Sequence, residues 1–124
     1  MSNAPRPDLI YKILSQSAWR AACSDGIYRG SSDDLRDGFI HFSTDRQLAE
    51  TARRHFSGQP DLLLVAVEAA ALGASLKWEP SRGGALFPHL YGPLDVTATK
   101  WSRDLALNGE GVPDIAGVLA QEAK

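Results

Sequence analysis

The sequence predicts one α+β domain, a mixed and mainly antiparallel sheet flanked by short helices. Three observations carry that prediction. Residues 37–47, Asp-Gly-Phe-Ile-His-Phe-Ser-Thr-Asp-Arg-Gln, read as a buried strand that turns directly into a helix. Leu62 to Glu68 is the most apolar stretch, with the length and β-branched content of an internal strand covered on both faces. Helical patterns follow both the first strand and the central one.

Taken in order, Met1 to Asp8 forms a polar, proline-bearing flexible arm, and residues 9–124 form the domain. Leu9 to Leu14 alternates as a strand, with Ile10, Lys12 and Leu14 on one side and Tyr11 and Ile13 on the other. Lys12 among large apolar residues is either an edge-strand gatekeeper or a cation aimed into a cleft. Ser15 and Ser17 offer N-caps for a helix over 18–24 that buries Trp19, Ala22 and Cys23 and ends at Asp25-Gly26. Residues 27–36 read as a polar surface loop with one short helical turn, and Asp33 and Asp34 as solvated acids.

In the central stretch, Thr44-x-x-Gln47 has the spacing of a capping box, and Leu48, Ala52 and Phe56 follow at helical spacing before Gly58. After the apolar strand, Ala69 to Ala74 is a helical turn broken at Gly73, and Leu76 to Glu79 is a strand halted by Pro80. Ser81 to Pro93, dense in glycine and proline yet carrying Arg82, Phe87, His89 and Tyr91, reads as a binding loop. Leu94 to Trp101 alternates as a closing strand. Asn108 to Gly111 is a turn, and Pro113 to Ala123 is a terminal helix with Ile115, Val118 and Leu119 as its stripe.

With 124 residues, 44% apolar and 23% charged, the chain has room and composition for one hydrophobic core. A net charge of −2 is not that of a dedicated nucleic-acid binder. The lone Cys23 excludes an intrachain disulfide framework and a cysteine-rich zinc site. The N-terminal arm has no signal-peptide core, and the longest apolar run is too short to span a membrane, so a cytoplasmic protein is expected. Composition leaves oligomeric state open.

Candidate chemistry falls in three places. His41 and Ser43 share a strand face opposite Ile40 and Phe42, and Thr44 follows at a helix start, where backbone N–H groups and the helix dipole favour an anion. Glu79 lies at a strand end with Arg82 a turn later. That pair either meets a sugar hydroxyl and a phosphate or forms an ion pair pinning the loop. Phe87, His89 and Tyr91 either stack on a planar ring or fold back on the core, with His89 and Tyr91 the better contact residues. His55 on the central helix is expected to be structural. No metal is expected, since the histidines lack ligand spacing, and neither a serine-hydrolase elbow nor a phosphate-cradling glycine loop occurs.

Ile10-Tyr-Lys-Ile13, Trp19, Asp37 to Thr44 with Gln47, Leu76-Lys-Trp-Glu79-x-Ser-Arg82-Gly-Gly and Phe87-Pro-His-Leu-Tyr-Gly-Pro-Leu94 together closely resemble the bacterial family called domain of unknown function 952. The resemblance spans Leu9 to about Leu107. It implies a fold grouped with the ADP-ribosyltransferase-like superfamily, and hence a cleft for NAD or a related nucleotide, with NAD as substrate. In that light Lys12 stands where superfamily members place a ribose- or phosphate-contacting Arg or His. His41, Ser43 and Thr44 resemble the nicotinamide-pocket strand, and Glu79 the superfamily's glutamate. The site is accordingly expected to use Glu79 and His41 as catalytic groups and Lys12, Ser43, Thr44, Arg82, His89 and Tyr91 as ligand contacts. Two functions are thus expected as alternatives: an ADP-ribosyl-transferring or NAD-processing enzyme, and a non-catalytic module binding a nucleotide, small molecule or peptide.

Overall fold

The computed structural model describes residues 7–122, so the N-terminal arm lies outside the described residues except for Pro7 and Asp8. The chain is an α+β domain built on three small antiparallel sheets. The first joins β1 (Leu9–Ser15), β4 (Leu62–Glu68) and β8 (Thr99–Leu105), with β4 in the middle. The second pairs β2 (Ile27–Tyr28) with β7 (Leu94–Asp95). The third joins β3 (Ile40–His41), β6 (Leu86–Leu90) and β5 (Leu76–Pro80), with β6 in the middle. The expected mixed sheet is corrected accordingly: every pair among the described strands is antiparallel.

Strand β4 organises the packing. Residues 62–67 are all buried, and their alternation divides the core in two. Leu63, Val65 and Val67 join Ile10 and Leu14 of β1 against α1 (Gln16–Asp25) and the apolar side of the third sheet, Ile40, Phe42 and Leu90. Leu62, Leu64 and Ala66 join Tyr11 and Ile13 against α3 (Leu48–His55) and α4 (Ile115–Glu122), through Leu48, Ala52, Ile115 and Val118. Helix α1 starts on Ser15, whose hydroxyl accepts from the Ala18 N–H at 3.1 Å, and stops at Gly26. Trp19 and Ala22 are its buried residues, whereas Cys23 is exposed rather than in the core.

Four further expectations are corrected. Residues 81–93 are not a loop throughout, because β6 occupies their centre and Phe87 to Leu90 are buried. Pro88 fits there because it stands where the β3–β6 ladder ends. It accepts from the Phe42 N–H at 3.0 Å but has no N–H to return, so regular pairing stops at His41 and His89. The chain then switches partner, and Ser43 exchanges backbone hydrogen bonds of 2.8 and 2.9 Å with Tyr11, tying the third sheet to the edge of the first. Residues 94–101 break into β7, a 3-10 turn and β8, because the Asp95 carboxylate caps the turn through the Thr97 N–H and hydroxyl. Residues 27–36 hold a short strand, β2, besides the expected helical turn, which is the start of α2 (Ser32–Asp37). The Thr44 box forms only by half: the Gln47 amide oxygen accepts from the Thr44 N–H at 3.0 Å, but α3 begins at Leu48 without a side-chain cap.

Candidate functional site

The seam where β3 leaves β6 for β1 opens into a cleft of about 500 Å³. Its floor is the polar side of the third sheet. Along that side the register stacks the pair His41 and His89, and the alternation puts Ser43 and Phe87 one step beyond them. Helix α2 forms one wall and α3 the other, with Thr51 and Arg54 on the cleft.

Helix α2 is unusual because its only buried residue is an acid. Asp34, at 2% exposure, takes the place an apolar anchor normally fills. One of its oxygens accepts from the Ser31 N–H at 2.8 Å and lies 3.0 Å from the Lys12 ammonium. The other meets His41 Nδ1 at 2.6 Å and the His41 N–H at 3.1 Å. Burial would push this carboxyl up. The His41 hydrogen bond, the Lys12 charge and the two backbone donors outweigh it and hold the carboxyl well below the usual range. Asp34 was the residue the sequence reading missed. Its signal was Ser31-x-x-Asp34, which forms a complete capping box. Asp33 remains exposed on an ion pair with Arg36.

Lys12 resolves to the cleft-facing reading. Its ammonium is buried and donates to the His41 carbonyl at 2.9 Å as well as facing Asp34. Burial lowers its pKa, partly offset by Asp34. With that charge committed internally, Lys12 holds the strand and the acid in place rather than offering a free cation.

The second carboxylate–imidazole pair lies across the sheet. His89, at 5% exposure, meets Glu79 Oε1 through Nδ1 at 2.8 Å, and the Tyr91 hydroxyl donates to the same oxygen at 2.8 Å. Those two hydrogen bonds, His89 first, hold the Glu79 carboxyl below its ordinary value, and the bond to Glu79 pushes the Tyr91 phenol up. Glu79 therefore pairs with neither Arg82 nor the open cleft. Phe39 covers both imidazoles, with ring centroids 4.6 Å from His41 and 4.1 Å, stacked, from His89.

Arg82 stands at the Ser43–Phe87 end of the floor. Its guanidinium lies 4.9 Å from the Phe87 ring centroid and donates to the Thr51 hydroxyl at 3.4 Å, which in turn is 3.0 Å from Ser43 Oγ. It has no carboxylate partner among the described residues. The cleft thus gathers Lys12, His41, Ser43, Arg82 and His89. Glu79 and Tyr91 stand behind His89, and Thr44 is not on the lining. His55, expected to be structural, is exposed at the cleft rim.

Fold and site together define a small α+β domain with two carboxylate-backed imidazoles on one cleft floor. The chain belongs to the family described as "Protein of unknown function (DUF952)", which matches residues 13–102. It is similar to the crystal structure of protein CC0527 from Caulobacter crescentus, at 54% identity and a TM-score of 0.88 over 90% of this chain and 98% of that one. It is also similar to the solution structure of the same protein, at 53% identity and a TM-score of 0.83 over 93% and 99% of the two chains. No curated protein matches the chain. No helix among the described residues is long and apolar enough to cross a membrane.

Proposed function

We propose that the cleft binds a nucleotide of the ADP-ribose type, NAD included. The observation that carries this is the Arg82 guanidinium, which has no carboxylate partner among the described residues and sits beside the Thr51 and Ser43 hydroxyls in a cleft also lined by acids and imidazoles. A phosphate finds a forked cation and hydroxyl donors at one end. At the other, Asp37, which lies 3.0 Å from His41 Nε2, is an acceptor for sugar hydroxyls. The size is right for such a ligand, since small-molecule clefts run to about 300–1,000 Å³.

ADP-ribosyl transfer would need a carboxylate at the ribose to stabilise the positively charged sugar. Glu79, the residue the family resemblance puts forward, spends its Oε1 on His89 and Tyr91. This favours binding over transfer at Glu79. Isothermal titration with ADP-ribose and NAD tests the reading. Saturable heat is expected, weakened about 10-fold or more by Arg82→Ala, as for loss of a hydrogen bond to a charged group. No heat at millimolar ligand would end it.

A further inference from the structure

We infer that His41 and His89 form a general acid–general base pair for cleaving a monoanionic phosphodiester in this cleft. The inference rests on the nucleotide-binding reading only for the anion seat at Arg82. Its own footing is the arrangement of the two rings. They stand opposite one another in the β3–β6 register, edge to face with centroids 5.6 Å apart, and both line the cleft. Each is oriented through Nδ1 by a carboxylate, Asp34 at 2.6 Å and Glu79 at 2.8 Å, which leaves Nε2 of His89 without a described partner and Nε2 of His41 beside Asp37.

The pair is not symmetric, and the asymmetry assigns the roles. His41 has a second carboxylate, Asp37, 3.0 Å from Nε2, placed to accept from a proton on that nitrogen. It is the acid. His89 has no described partner at Nε2, and a ring that donates from Nδ1 to Glu79 presents its Nε2 lone pair to the cleft it lines. It is the base. One pleat repeat along the strand, about 6.6 Å, separates this pair from the Ser43–Phe87 row where Arg82 sits. One guanidinium without a carboxylate partner among the described residues suits the single charge of a diester.

The step balances without a co-reactant other than water. His89 Nε2 takes a proton from a water molecule as its oxygen bonds to phosphorus. The bond from phosphorus to the leaving oxygen breaks, and that oxygen takes the proton from His41 Nε2, which Asp37 releases. The products are a phosphomonoester and a free hydroxyl, and solvent returns the proton from His89 to His41. A nucleoside 2′,3′-cyclic phosphate is the substrate class of choice, because ring strain leaves only proton transfers for the protein to assist. Asp34 and Glu79 are positioning residues here.

The experiment incubates the full chain with adenosine 2′,3′-cyclic phosphate, follows product by phosphorus NMR, and measures binding of the same compound and of ADP-ribose by titration. Conversion to the monoester is expected, with a bell-shaped pH dependence of kcat/KM. His41→Asn should lower kcat about 100- to 10,000-fold while binding stays within threefold, and should remove one limb of the bell. His89 is buried, so His89→Gln is read only alongside its melting curve, and the wild-type and His41 results decide. Cyclic phosphate bound without conversion overturns the acid–base pair and leaves the ADP-ribose reading standing. Binding of neither ligand overturns both, and conversion undiminished in His41→Asn overturns the pair.

Discussion

Asp34 ties three parts of the chain to one side chain: Lys12 on β1, the Ser31 turn and His41 on β3. A buried charge with this many partners is costly to break. Asp34→Asn leaves the Lys12 ammonium buried without its counter-charge, and a loss of about 3–5 kcal/mol is expected, measured by urea unfolding at neutral pH. The same residue sets an acid response. Because its folded carboxyl titrates below the unfolded value, the unfolded chain binds the extra proton as pH falls below about 4. Stability from Asp34 is therefore complete above that pH and is lost as pH falls through the folded value. Urea midpoints taken from neutral to acid should drop steeply in the wild type. Asp34→Asn should start lower and fall less.

Helix α2 is an element held by polarity rather than by apolar burial. Leu35, its one large apolar residue, is 67% exposed, and glycines with positive φ, Gly30 and Gly38, flank it. Gly30 is required twice over: its φ is +116°, and a Cβ there would come within 2.7 Å of Asp34 Cβ. Gly30→Ala is expected to destabilise the chain by about 1–3 kcal/mol, whereas Leu35→Ala stays within about 0.5 kcal/mol, both read from urea midpoints. Hydrogen exchange across α2 should be fast relative to β4 and should speed up further in Asp34→Asn. As a cleft wall attached through the Asp34 and Asp37 carboxylates rather than through apolar packing, α2 is the element best placed to move when a ligand enters.

For the whole molecule, the double-sided burial of β4 is the main source of stability. Leu64→Ala is expected to cost about 2–5 kcal/mol, measured by chemical denaturation, because Leu64 is fully buried between the first sheet, α3 and α4. This part of the fold was legible in the sequence: the apolar run from Leu62, and the alternation that put His41 and Ser43 opposite Ile40 and Phe42, are periodicities a chain displays openly. The alternation of β1 likewise set Lys12 beside Ile10 and Leu14, though not which of two jobs it did. What stayed hidden is what depends on tertiary partners. Strand β6 was masked by Gly83, Gly84 and Pro88, turn signals that here bracket and punctuate a central strand. Asp34 was hidden because neighbouring acids in a polar stretch are usually solvated, and the charge and ring that draw this one inward, Lys12 and His41, sit on β1 and β3 and meet it only once the chain is folded.

The most direct test of the cleft as a ligand site is a crystal structure of the protein grown or soaked with ADP-ribose at millimolar concentration. Density for a phosphate on the Arg82 guanidinium and the Thr51 hydroxyl, with the sugar against Asp37, is the expected result. An empty cleft at that concentration, or the nucleotide seated elsewhere on the molecule, would contradict it.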